Sequence, residues 1–117
     1  MATELQFNNA AITSGLGMVE DPELAFYHSD IGKYKNTVIQ GIYDVASVTG
    51  NITVFEDGYF PHVHISFNDE RHNTSSGHVI TGKVHIIMEI FLRITDVSIH
   101  RVRTNANDGT HIEPLES

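Results

Sequence analysis

Five of the eight histidines fall between positions 62 and 85, and their spacing is what a metal ion would need. In Phe60-Pro61-His62-Val63-His64-Ile65-Ser66-Phe67 an extended backbone sends side chains two apart to the same side. His62 and His64 therefore share one face, and Val63, Ile65 and Phe67 fill the other. Two imidazoles so placed can bind one ion at ~2.0–2.1 Å each without distorting the strand. His78 follows in Ser75-Ser76-Gly77-His78-Val79, where Gly77 is expected to let the chain turn back and deliver a third imidazole. Three histidines with the remaining positions left to water form the donor set of a catalytic zinc site, or of a non-haem iron or manganese site. The competing reading of a His-x-His pair is a solvated polar face on an edge strand, because short motifs arise often by chance. The third histidine counts against it.

Other chemistries are poorly served. The chain has no cysteine, which removes disulfides and thiolate ligands and leaves imidazole and carboxylate as donors. A cupin-like set would need a glutamate where Asn68 and Asp69 stand. Thr81-Gly82-Lys83-Val84 lacks the upstream glycine and the hydroxyl residue of a phosphate-cradling loop, and no Gly-x-Ser-x-Gly elbow occurs. Glu89 is the weak catalytic candidate. It is flanked by Ile87 and Phe91, where an unpaired charge is costly, and an ion pair with Arg93 is the plainer expectation for it.

The elements that must position these residues read as strands. Nine glycines separate runs rich in β-branched and aromatic residues, and no stretch holds a helical period. Strands are expected at Ala10–Thr13, Leu24–His28, Thr37–Gln40, Tyr43–Val48, Asn51–Phe55, His62–Phe67, Val84–Ile94 and Asp96–Arg103. Glu56-Asp57-Gly58-Tyr59 reads as a turn, with Asp-Gly supplying the backbone freedom. A turn or two of helix is expected near residues 2–8. Residues 1–104 form the expected single domain, and 105–117, with Asn, Asp, Gly and Pro and little to bury, reads as a loose tail. Val84–Ile94 places Val84, Ile86, Met88, Ile90, Leu92 and Ile94 on one face and a mixture on the other. That pattern predicts a central strand whose second face is partly covered, in so small a domain by another subunit.

Length and charge bound the partners. At 117 residues the chain fits one domain with a real core. Fifteen acidic against seven basic residues give −8 with histidine neutral, and protonating all eight histidines would bring the sum to −8 + 8 = 0. Nucleic-acid affinity comes largely from cations that displace phosphate counterions, so direct DNA binding by this chain alone is not expected. The longest apolar run is broken by His85, Glu89 and Arg93 and is too short for a bilayer, so no membrane partner is expected. Met1–Phe7 shows no basic-then-apolar leader, which makes the cytoplasm the expected location.

The order of the pieces resembles the plants-and-prokaryotes-conserved (PPC) domain family. The resemblance rests on Ala11-Ile12-Thr13-Ser14-Gly15-Leu16-Gly17, Gly41-Ile42-Tyr43-Asp44-Val45, Val48-Thr49-Gly50-Asn51-Ile52, Pro61–Phe67, Ser76-Gly77-His78-Val79 and Met88-Glu89-Ile90. It implies an α+β fold, β-dominated, mainly an antiparallel, barrel-like sheet with little helix, and a homotrimer. It also implies His62, His64 and His78 as ligands of a divalent transition metal, zinc first, with room for a small-molecule ligand at the metal. Plant members generally lack these histidines and are nuclear and DNA-associated, which implies a DNA-associated or regulatory role. The histidine pattern is also similar to that of acetolactate decarboxylase, which implies a metal-dependent enzyme acting on a small oxygenated substrate; a purely structural metal is the third possibility. The sequence departs from the family pattern in three ways. The strand and long helix that usually precede Ala11–Gly17 are largely missing, the usual Gly-Gly-His reads Ser76-Gly77-His78, and no Arg-Gly-Arg-Pro core of an AT-hook occurs.

Overall fold

The computed structural model describes residues 8–96, 99–103 and 110–114. Seven strands follow one another: β1 Ala10–His28, β2 Lys33–Val38, β3 Ile42–Phe55, β4 Gly58–Asn68, β5 Thr74–Ile94, β6 Ile99–Arg103 and β7 Thr110–Pro114. No helix occurs among the described residues, and the helix expected near residues 2–8 falls almost wholly outside them. The fold is β-dominated and antiparallel throughout, as expected.

The first five strands form one sheet in the order β2-β1-β3-β4-β5, and β1 also pairs with β5. That second pairing bends the sheet into a partly closed ring of β1, β3, β4 and β5. Ile12, Val19, Val45, Val48, Ile65 and Phe67 meet inside as the buried core, with Leu24, Val63, Val79, Met88 and Leu92 packed against them. Phe67 is 1% exposed and meets Tyr43 edge-on at 5.0 Å. Burying such a side chain contributes about 1.5–3 kcal/mol, so a few inward residues carry much of the stability.

Glycines expected to end strands instead lie inside them. Ala10–Thr13 and Leu24–His28 belong to one continuous β1, and Tyr43–Val48 and Asn51–Phe55 to one β3. The reason is close approach. A Cβ on Gly50 would lie 2.0 Å from the His62 carbonyl oxygen, and Gly50 has φ +146°. Only glycine lets β3 come so near β4 at the position of His62. The β3–β4 hairpin also differs from expectation. Gly58 is already in β4, paired with Phe55, and Glu56 carries the positive φ of 55° in the turn.

Val84–Ile94 is not central. Over this stretch β5 pairs with β1 alone among the described strands, with repeated register shifts and a left-handed Ile86 at φ 64°. A β-branched residue rarely adopts that conformation, and here it accompanies the slip between the Gly17–Met88 and Val19–Val84 pairs. The broken register defeats the simple two-face alternation. Ile86 is 84% exposed and Phe91 67%, with Leu16, Val84, Ile87, Ile90 and Ile94 exposed beside them. Within the segment 105–117, expected to be loose, Thr110–Pro114 forms β7 and pairs with β6.

Gly50→Ala should lower folding stability by about 1–3 kcal/mol, because the new methyl meets backbone and the φ disfavours any side chain. Chemical denaturation checks this, and an unchanged midpoint would refute the close-approach account.

Candidate metal centre

Strand pairing assembles the histidines. β4 alternates as expected, with His62 and His64 facing away from buried Ile65 and Phe67. β4 and β5 then pair with His64 directly opposite His78. Directly opposed residues on adjacent strands hold their Cβ atoms about 4.5–5.5 Å apart, close enough for two imidazoles to reach one ion. Gly77 is not a turn, contrary to expectation. It lies within β5 opposite Ile65, and a Cβ there would press Leu24 Cδ1 at 3.2 Å. The chain reverses earlier, where the Asp69 carboxylate accepts backbone N–H bonds from Arg71 and Asn73. His78 also lies opposite Ala25 of β1, so it sits where the closing strand passes from one partner to the other.

The three rings are nearly equidistant. Centroids lie 5.5 Å apart for His62–His64, 5.2 Å for His62–His78 and 5.5 Å for His64–His78. One nitrogen from each ring falls within 4.8 Å of the others. A tetrahedral ion at ~2.0–2.1 Å from each would hold these nitrogens about 3.4 Å apart, so small ring rotations close the site. With His64 exposed and His78 half-buried, the open side of the cluster faces outward. Three neutral imidazoles fit zinc and other borderline transition metals, and leave at least one position for water or a ligand.

Electrostatics favour the neutral, ligating form. Burial holds the His62 pKa below its usual value, assisted by the charges of His78, Arg101 and His64. Burial and then His64 likewise lower His78. Arg101 enters from β6. It is buried, and donates from Nε to Thr53 Oγ1 at 3.0 Å and from Nη2 to Asn51 Oδ1 at 3.0 Å. Both acceptors lie on β3, so β3 positions Arg101 as well as His62. Sequence reasoning missed Arg101, and nothing in Ile99-His100-Arg101-Val102-Arg103 distinguishes it from a surface arginine.

Glu89 stands apart from this group. It is exposed on β5 opposite Leu16, and no ion pair joins it to Arg93 among the described residues. It is not among the metal-competent groups that the described residues form.

A family model of the Plants and Prokaryotes Conserved (PCC, here PPC) domain matches residues 1–96. The chain belongs to the PPC family. A PPC protein of Pyrococcus horikoshii has a similar structure, with a TM-score of 0.86 and 26% identity over 99% of this chain and 80% of that one. A Bacteroides thetaiotaomicron protein named "putative DNA-binding protein" shares the fold at a TM-score of 0.88 and 17% identity, over 96% and 78% of the two chains. A metal-containing protein of Archaeoglobus fulgidus shares it at 0.81 and 19%, over 98% and 79%. A search of curated proteins found no match. No helix of this PPC chain's described residues is long and apolar enough to cross a membrane.

The lowered pKa values set a pH dependence. Between the folded-state values and 6.5, the unfolded chain binds more protons at His62 and His78, so stability rises with pH there. The contribution is fully present above 6.5 and is lost as pH falls through the folded values. An NMR titration of the metal-free protein should show both rings titrating below 6.5. Midpoints at or above 6.5 would contradict the electrostatic account.

Proposed function

We propose that this PPC protein is an oligomeric metal-binding domain in which His62, His64 and His78 hold one divalent transition metal, zinc first, with an open position for a small oxygenated ligand. The observation that carries the reading is the near-equilateral arrangement of three imidazoles, whose nitrogens fall within 4.8 Å of one another. Chance exposure of polar residues does not ordinarily align three such rings from two strands. The metal would act as a Lewis acid toward an oxygen donor, polarising it or lowering the pKa of bound water. Whether turnover follows, as the resemblance to acetolactate decarboxylase implies, depends on a proton-transfer group, and Glu89 is a weak candidate from its exposed position on β5.

A DNA-associated role at the family level draws on the names of structural neighbours. For the isolated chain the physical case runs against tight duplex binding. The net charge is −8, and of the two close basic pairs, Lys33/Lys35 and Arg101/Arg103, the second has Arg101 buried and Arg103 held by Glu56 at 2.7 Å. Any such role therefore falls to an assembly or a partner.

The exposed apolar side chains around β5 support self-association. Covering the seven apolar side chains around β5 would contribute on the order of 10 kcal/mol, as much as a whole domain's net stability. The resemblance implies a three-fold assembly.

Two measurements test the proposal. Metal analysis of zinc-supplemented protein should give one ion per chain, and His64→Ala should lose it while keeping the fold. Retention of the ion by that variant, or its absence from the wild type, would refute the site. Light scattering at micromolar concentration should give a trimer, and a mass near 13.0 kDa would refute self-association.

A further inference from the structure

Beside the histidine cluster lies a cleft of about 260 Å³, walled by Tyr34, Phe60, His62, His78, Ile80 and Arg101 among others. Arg101 is the unusual member. It is 6% exposed, yet every hydrogen-bond acceptor it holds among the described residues is neutral. Nε bonds Thr53 Oγ1 at 3.0 Å, Nη1 bonds Thr110 Oγ1 at 3.1 Å and Nη2 bonds Asn51 Oδ1 at 3.0 Å. The guanidinium carbon lies 4.4 Å from the centre of the Phe60 ring. Arg103, two residues on, shows the ordinary solution, since Glu56 neutralises it at 2.7 Å.

A buried cation without a counter-charge costs several kcal/mol in general, and partners that only fix its orientation repay little of that. The chain has fifteen acidic residues, so a carboxylate partner was readily available. A guanidinium that is fixed, stacked and uncompensated among the described residues is instead the form an anion-binding group takes before its ligand arrives. Guanidinium carries five N–H donors. The three bonds above leave two among the described residues.

We propose that the cleft binds a small organic monocarboxylate, with the carboxylate on the two remaining N–H groups of Arg101 and an apolar body against Phe60, Ile80 and Tyr34. Two donors match two carboxylate oxygens better than the three of a phosphate, and the acidic chain repels a dianion more strongly. The volume lies below the ~300–1,000 Å³ that holds drug-sized ligands, which limits the body to a few carbons or one ring. The assignment deepens the proposed function by naming the class of ligand beside the metal. Arg101 and the apolar walls do not themselves require the ion.

Calorimetric titration of the full chain, metal-loaded and chelator-stripped, with isobutyrate, isobutyramide and inorganic phosphate decides the matter. Isobutyrate should bind both forms of the protein at least tenfold more tightly than its amide, and more tightly than phosphate. Arg101→Gln should abolish that preference in both the metal-loaded and the chelator-stripped protein. Equal binding of acid and amide, tighter binding of phosphate, no binding of the acid at millimolar concentration, or an unaltered preference in Arg101→Gln would each overturn the proposal. Should the variant fail to fold, the acid-over-amide preference of the wild type still decides. An acid preference in a protein that takes up no metal would refute the metal centre and leave the cleft standing. Stoichiometric metal without an acid preference would do the reverse.

Discussion

The double pairing of β1 governs the rest of the molecule. One edge of Ala10–Glu20 is hydrogen-bonded to β3 and the other to β5, so the sheet must curl for a single strand to serve both. Backbone hydrogen bonds in a closed arrangement have few alternative registers, since a one-residue slip would turn Ile12 and Val19 out of the core. The curl also obliges β5 to leave β4 after His78 and run along β1 instead. His78 is thus placed at a topological junction, and the cluster it completes inherits its rigidity from backbone pairing rather than from loops.

The same constraint creates the exposed surface. Because β1 accepts β5 on its last free edge, nothing in the described chain remains to cover the far edge of Val84–Ile94. An apolar edge strand is a hazard in a monomer and an asset in an oligomer, where it is the natural place for a second copy. Left-handed Ile86 and the surrounding register shifts keep this edge from presenting a long flat ladder. Such irregularity discourages indefinite strand addition while leaving apolar side chains available for a specific contact.

What the sequence made legible was local and periodic. Strand spacing of two placed His62 and His64 on one side of β4 and Ile65 and Phe67 on the other, because that depends only on extended backbone. The β-rich class followed from branched and aromatic runs. The strand boundaries did not follow, because glycine has two physical uses that a single sequence does not separate. It frees a turn, or it admits a neighbouring strand too close for any Cβ. Gly50 has the second use, and its cause, the His62 carbonyl, lies in another strand. The opposition of His64 and His78 was likewise a matter of register across a hairpin, and the sequence suggested the convergence by way of a turn at Gly77 that is not there. Arg101 lay beyond reach altogether, since its burial depends on how β6 meets Asn51 and Thr53 of β3.

Charge placement joins these observations. In a chain of net −8, acidic residues near an imidazole cluster would raise its pKa values and hold its protons against a metal. The charged group that acts on His62 beyond the cluster itself is the cation Arg101, and it acts in the opposite sense. The arginine also stacks on Phe60, two positions before His62 on the same strand and therefore on the same face. Asn51, paired opposite His62, is one of the acceptors that hold the arginine in place. Asn51 and Phe60, which help to fix Arg101, are thus neighbours of the histidine it affects. A positive charge so close would be a poor neighbour for a site whose only task was to grip a cation. It is a good neighbour for a site in which the cation must share an anionic ligand.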